Sequence, residues 1–210
     1  LAMNLDVLMY AVLGYLCGSI LFFRLYIRLF VHKDLAAKAA DHNPGVFNAF
    51  KFGGFQAGLF VLTGDLAKGI LPVWLYLFQH PQPDLPLGFG LVLAAPVFGH
   101  IYSIFNRFHG GKGIATTFGV LIGAWAGGMS FWPLGTLACL FLFFKLLFKI
   151  SSNFYLTVIV YLLLPVIVWL EPVDLAIDYG LLFISTAALI HLATSAETKV
   201  RLEVKPFWKH

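Results

Sequence analysis

The chain is 210 residues long, 60% hydrophobic and 11% charged, with a formal net charge of +4 and a mean hydropathy of +0.87. A soluble domain carries roughly 25% charged residues, so the composition excludes a water-soluble globule and specifies an integral membrane protein. The basic residues flank apolar runs instead of gathering on one soluble face, which makes a membrane surface, not nucleic acid, their expected partner.

A crossing needs about 20 mostly apolar residues. The first runs from about Leu5 to Phe23. It lacks a basic leading region, so it reads as a span and not as a cleaved signal peptide. Gly14 and Gly18-Ser19 put small residues on or near one face, which suits close helix packing. Arg24 and Arg28 follow, where they can snorkel to the interface. Residues 31–54 read as a polar loop. The second span covers about Phe55–Phe78 and carries Asp65 and Lys68. The third covers about Leu87–Phe105, with Pro96 as an expected kink and His100 near its end. A glycine-rich turn leads into the fourth, about Gly113–Ala126; the fifth, sixth and seventh cover about Phe131–Phe148, Phe154–Leu170 and Leu175–Leu192. Residues 195–210 form a basic tail. The expectation is one all-α polytopic membrane domain over residues 1–210, with about seven transmembrane helices. Cys17 and Cys139 lie in apolar runs without Cys or His neighbours, so no disulfide or zinc site is expected.

Charge orients the bundle. Arg24, Arg28, Lys33, Lys38 and Lys51, then Arg107 and Lys112, then Lys145 and Lys149, then the tail, fall on alternate loops. The other loops carry Asp84, Glu171, Asp174 and Asp178. The positive-inside rule therefore puts the N-terminus outside and the C-terminus in the cytoplasm.

The chemistry concentrates in His109-Gly110-Gly111-Lys112-Gly113-Ile114-Ala115-Thr116-Thr117. Glycines let the backbone approach a ligand closely. The free N–H groups and positive dipole end of a helix start favour an anion, and Lys112 adds a mobile charge. The segment reads as a phosphate seat at the mouth of a membrane helix, or as a plain basic turn between spans. It is not a Walker loop, because Gly113 follows the lysine. In the first loop, Asn43, Asn48 and Lys51 can hold a second polar, anionic group; the alternative is a solvated loop. Asp65 and Lys68, three residues apart, share a helix face, either as a structural pair or with Lys68 turned to the site. His100 can donate to a substrate or assist proton transfer, or be a satisfied interior histidine. His191 shares that ambiguity. Glu197 is either a pairing group at the site or a solvated acid. A serine elbow, a metal-ligand cluster and a dinucleotide fingerprint are all missing from the sequence.

The segment Gly99-His100-Ile101-Tyr102-Ser103, continued by Phe108-His109-Gly110-Gly111-Lys112-Gly113-Ile114-Ala115-Thr116, resembles GHxxPxxxxFxGGKGxAT of the bacterial acyl-phosphate:glycerol-3-phosphate acyltransferase family, PlsY, with Ser103 in the proline position. Gly18-Ser19-Ile20 is similar to its GSI, and Asp65-Leu66-Ala67-Lys68-Gly69 to its DxxKG. Asn43, Gly45, Asn48 and Lys51 fall on its SGNxGxTNxxR, where Asp41, His42, Phe47 and Lys51 depart from it. Of its tail motif, Glu197 and Arg201 remain.

The resemblance implies transfer of a fatty acyl group from acyl phosphate to glycerol 3-phosphate, a step of phospholipid synthesis at the bacterial cytoplasmic membrane, with the site facing the cytoplasm. The activated donor requires no metal or cofactor. Lys112, His100, Asn43 and Asn48 are the expected catalytic residues. Gly110, Gly111, Gly113, Thr116, Lys51, Lys68, Asp65 and Glu197 are expected to bind the two substrates, and membrane lipid surrounds them. A different acceptor or donor, or a lipid-binding or transport protein on the same scaffold, stays open.

Overall fold

The computed structural model describes residues 5–31, 43–148, 153–171 and 174–195. Asp41, His42, Glu197, Arg201 and the basic tail lie outside them. Among the described residues the elements are helical: α1 (Leu5–Gly18), α2 (Phe22–Tyr26) with a π turn at Ile27–Val31, α3 (Val46–Gln79), α4 (Pro86–Ile101), α5 (Ile114–Ala126), α6 (Trp132–Leu142) with a π turn at Phe143–Leu147, α7 (Asn153–Leu170) and α8 (Leu175–Thr194).

Among the described residues, four helical stretches are long and apolar enough to cross a bilayer: Val46–Gln79, Pro86–Asn106, Asn153–Leu170 and Leu175–Thr194. A fifth is the pair Leu5–Gly18 and Phe22–Val31, bent by 47°. The expected fourth span is a 13-residue helix, about 20 Å long at 1.5 Å per residue, against a hydrocarbon core of about 30 Å. The fifth expected span, Trp132–Leu147, is also short. Leu8, Phe55, Phe78, Leu162, Val166, Trp169 and Leu182 are exposed, as lipid-facing side chains of a membrane bundle are.

Two expected boundaries shift. The first span is not continuous: α1 stops at Gly18 and α2 opens at Phe22. The Ser19 hydroxyl donates to the Tyr15 carbonyl at 2.8 Å, a bond that competes with helix continuation. The expected loop ends at Gly45, and Val46 already opens α3, so Asn48 and Lys51 are helical. Gly54 keeps the predicted break, however. Its φ of 79° and ψ of −173° are non-helical, a conformation open to glycine at little cost. The segment before it turns back on the span, placing the Phe50 ring where a Cβ on Gly58 would stand. Pro96, expected to kink its span, lies inside an unbroken α4.

α4 packs between α1 and α8, and α3 packs on α5 and α1. Without a hydrophobic drive between helices in lipid, close contact rests on small residues. A Cβ on Gly18 would lie 2.0 Å from the Pro96 carbonyl oxygen, and one on Gly99 would lie 2.1 Å from that of Tyr15. The α1–α4 contact is thus backbone against backbone. The predicted small-residue face of the first span is this contact. At Gly14 a Cβ would meet the Pro96 ring at 3.1 Å, a milder crowding.

Gly18→Ala is therefore expected to lower stability by about 1–3 kcal/mol through overpacking, and Gly14→Ala by less. Thermal unfolding in detergent measures both; equal losses would contradict the packing described.

Candidate active site

The site begins with the break in the first span. Helix interruption leaves carbonyls without partners, and in a bilayer core each must be satisfied internally. The Ser19 carbonyl accepts from the Ser103 hydroxyl at 2.6 Å. The Ile20 carbonyl accepts from Lys68 Nζ at 2.8 Å. Lys68 is also 2.7 Å from Asp65 Oδ1 and 2.8 Å from His100 Nδ1. An ammonium has three protons and no acceptor; the Ile20 carbonyl and His100 Nδ1 accept from it, and Asp65 neutralises it as an ion pair. Lys68 is thereby held between the helix break and His100. An ammonium donating to Nδ1 assigns the proton of a neutral His100 to Nε2.

His100 Nε2 faces the glycine turn. It lies 2.3 Å from where a Cβ on Gly111 would be, and Asn43 Oδ1 lies 3.0 Å from that point. The Gly111 amide donates to the His100 carbonyl at 3.0 Å. A Cβ on Gly110 would fall 1.8 Å from the same carbonyl oxygen. Gly110 and Gly111 thus let the turn lie against the end of α4. Gly113 has φ of 81° and caps α5. The turn is held from the other side by buried Tyr161, which donates to the Lys112 carbonyl at 3.2 Å. Its hydroxyl is 2.9 Å from that of Thr117, which is itself 2.9 Å from the Gly113 carbonyl.

A cavity of about 530 Å³ opens here. Its polar wall includes Asn43, Asp65, His100, Lys112, Lys145 and Asn153. Its apolar wall includes Leu62, Phe118, Ile122 and Phe141. Ile114, Phe118 and Ile122 recur every four residues, so one stripe of α5 runs along the cavity for about 12 Å. Lys112, buried to 8% exposure, stands where the polar and apolar parts meet in sequence.

The structure brings Lys112, His100, Asn43, Asp65 and Gly113 to this cavity. Gly110 and Gly111 seat the turn on the end of α4 without lining the cavity, and Thr116, also not lining it, is buried with its carbonyl against Gly69 of α3. Asn48 does not line it either; its amide donates to the Asn43 carbonyl at 2.8 Å and so braces that residue. Lys51 is exposed on α3, with Nζ 5.1 Å from the Phe52 ring centroid. Glu197 is outside the described residues. His191 is half-buried, edge-on to Tyr102 at 5.8 Å. Sequence reasoning missed Tyr161, Lys145 and Asn153. Tyr161 had one signal, a hydroxyl in the middle of an apolar run; Lys145 was read as an interfacial charge.

Lys68→Met would leave the Asp65 carboxylate buried without its cation, at an expected cost of about 3–5 kcal/mol. The double variant Asp65→Asn/Lys68→Met should recover most of that loss. A double-mutant thermal-unfolding cycle checks it, and additive losses would argue against the pair.

The family profile described as glycerol-3-phosphate acyltransferase matches residues 8–202. The glycerol-3-phosphate acyltransferase of Actinobacillus pleuropneumoniae serotype 5b (strain L20) is 36% identical over 167 residues, 80% of each chain. That of Yersinia pestis (strain Pestoides F) is 42% identical over 111 residues, 52% of this chain and 49% of the relative. The chain thus spans about half the length of the Yersinia relatives it matches. PlsY (YgiH), an integral membrane glycerol 3-phosphate acyltransferase, superposes in its glycerol 3-phosphate form with a TM-score of 0.75 at 20% identity, over 88% of this chain and 87% of that one. Its lysophosphatidic acid form gives 0.71 over the same shares. At such identity the likeness concerns the fold, a multi-pass membrane bundle. With the profile covering nearly its whole length and a relative matched over four fifths of both chains, this chain belongs to the glycerol-3-phosphate acyltransferase family.

Proposed function

We propose that the protein transfers a fatty acyl group from acyl phosphate to the hydroxyl of glycerol 3-phosphate, giving lysophosphatidate and phosphate. The observation that carries this reading is a single cavity in which Lys112, His100 and Asn43 meet the apolar stripe of α5. Such a space fits a molecule with an anionic head and a hydrocarbon tail. Family membership supports the same reaction.

In this reading the donor phosphate lies against Lys112 and the turn that leads into α5. The acyl chain lies along Phe118, Ile122 and Phe141. The acceptor hydroxyl attacks the carbonyl carbon, the bond from that carbon to the phosphate oxygen breaks, and the hydroxyl proton ends on the departing phosphate. An acyl phosphate is already activated, so the protein mainly orients two anions and neutralises charge on the leaving group. Lys112 supplies that charge. His100 donates its Nε2 proton as a neutral hydrogen-bonding group, held in that tautomer by Lys68. Asn43 adds a further polar contact from the start of α3. We further propose seven crossings, with the bilayer thinned locally around the two short helices, the N-terminus outside and the site on the cytoplasmic face of a bacterial inner membrane. The alternation of basic and acidic loops supports that orientation.

The test supplies purified protein with palmitoyl phosphate and glycerol 3-phosphate and scores phosphate release together with lysophosphatidate. Lys112→Ala is expected to lower kcat by about 100- to 1,000-fold, the usual scale for removing a transition-state contact. Unchanged turnover in that variant would defeat the assignment. A folded wild-type protein without turnover would favour another acceptor, another donor or a non-enzymatic role.

A further inference from the structure

We propose that Lys145 is the second cation of the cavity and binds the phosphate of the glycerol 3-phosphate acceptor; the identity of that ligand rests on the acyl-transfer reading above. Two anionic substrates sharing one cavity each need neutralising. The sequence offered Lys51 as partner to Lys112, but Lys51 is exposed on α3, over Phe52, and does not line the cavity. Lys145 does.

Its surroundings are built. Nζ donates to Asn153 Oδ1 at 3.1 Å and stands 5.5 Å from the centroid of the Phe47 ring. Asn153 and Phe47 line the same cavity. An interfacial anchor reaches outward for lipid headgroups; this lysine is half-buried along an inner wall. It belongs to the π turn Phe143–Leu147, a local unwinding that re-aims side chains and recurs at functional sites. Asn153 takes one of its protons, and the Phe47 face consumes none, which leaves donors for a ligand. Lys112 adjoins α5, whereas Lys145 belongs to the α6 and α7 side of the same cavity; in this proposal each serves one of the two phosphates.

The experiment measures KM for each substrate in Lys145→Met, with Lys145→Gln as a second variant and size-exclusion profiles as the check on folding. Losing one charge-assisted contact is expected to raise KM for glycerol 3-phosphate about tenfold. The change in kcat and in KM for palmitoyl phosphate is expected to stay within about twofold, and Lys145→Arg should restore most of the loss. An unchanged glycerol 3-phosphate KM, a rise confined to palmitoyl phosphate, or a larger effect from Lys51→Met would each overturn the proposal. Calorimetric titration of glycerol 3-phosphate into nanodisc-embedded protein separates this inference from the catalytic one. Binding that weakens about tenfold in Lys145→Met, without wild-type turnover, would uphold Lys145 and defeat the acyl-transfer reading. Wild-type protein that binds no glycerol 3-phosphate would defeat both.

Discussion

One buried ammonium organises the interior. Lys68 is 4% exposed; it donates to the Ile20 carbonyl and to His100 and forms an ion pair with Asp65. Each contact answers a different problem. The break between α1 and α2 leaves a carbonyl that lipid cannot satisfy. A charge inside an apolar bundle demands a counter-charge, which Asp65 supplies. The imidazole turns Nε2 toward the glycine turn, and Lys68 occupies Nδ1. The helix break, the ion pair and the histidine therefore meet at one side chain.

Close backbone packing carries that arrangement to the site. Gly99 lets α4 meet α1, and one residue later His100 faces Lys68. Beyond α4, the chain returns along the helix end because Gly110 and Gly111 have no Cβ to strike the His100 carbonyl and ring. Tyr161 closes the turn from α7 by bonding the Lys112 carbonyl. Lys112 is thus fixed at its backbone, with its side chain at the cavity wall.

Much of the fold was legible because hydropathy and small-residue spacing act locally. The Leu5, Phe55, Leu87, Phe154 and Leu175 runs, and the glycine face of the first span, follow from composition within a window. The break after Gly18 was not legible as such, since the group that satisfies the freed Ile20 carbonyl, Lys68, lies 48 residues further along the chain. The site divides likewise. Lys112, His100 and Asn43 are carried by a compact pattern, and the structure brings them to one cavity. Lys51 was expected in a loop, but α3 has already begun there, and on a helix its direction is set by the turn. Tyr161 and Lys145 act across tertiary contacts that no local spacing encodes.

The departures from the family pattern gain meaning from the same contacts. Ser103 stands where the pattern has proline, and its hydroxyl holds the Ser19 carbonyl at 2.6 Å; a proline side chain has no donor to offer there. Phe47 stands where the pattern has threonine, and its ring lies under Lys145. A threonine has no π face, so the cation–π attraction of about 0.5–1 kcal/mol would be lost with it. If Lys145 carries the charge that Lys51 does not bring to the cavity, Phe47 is its seat.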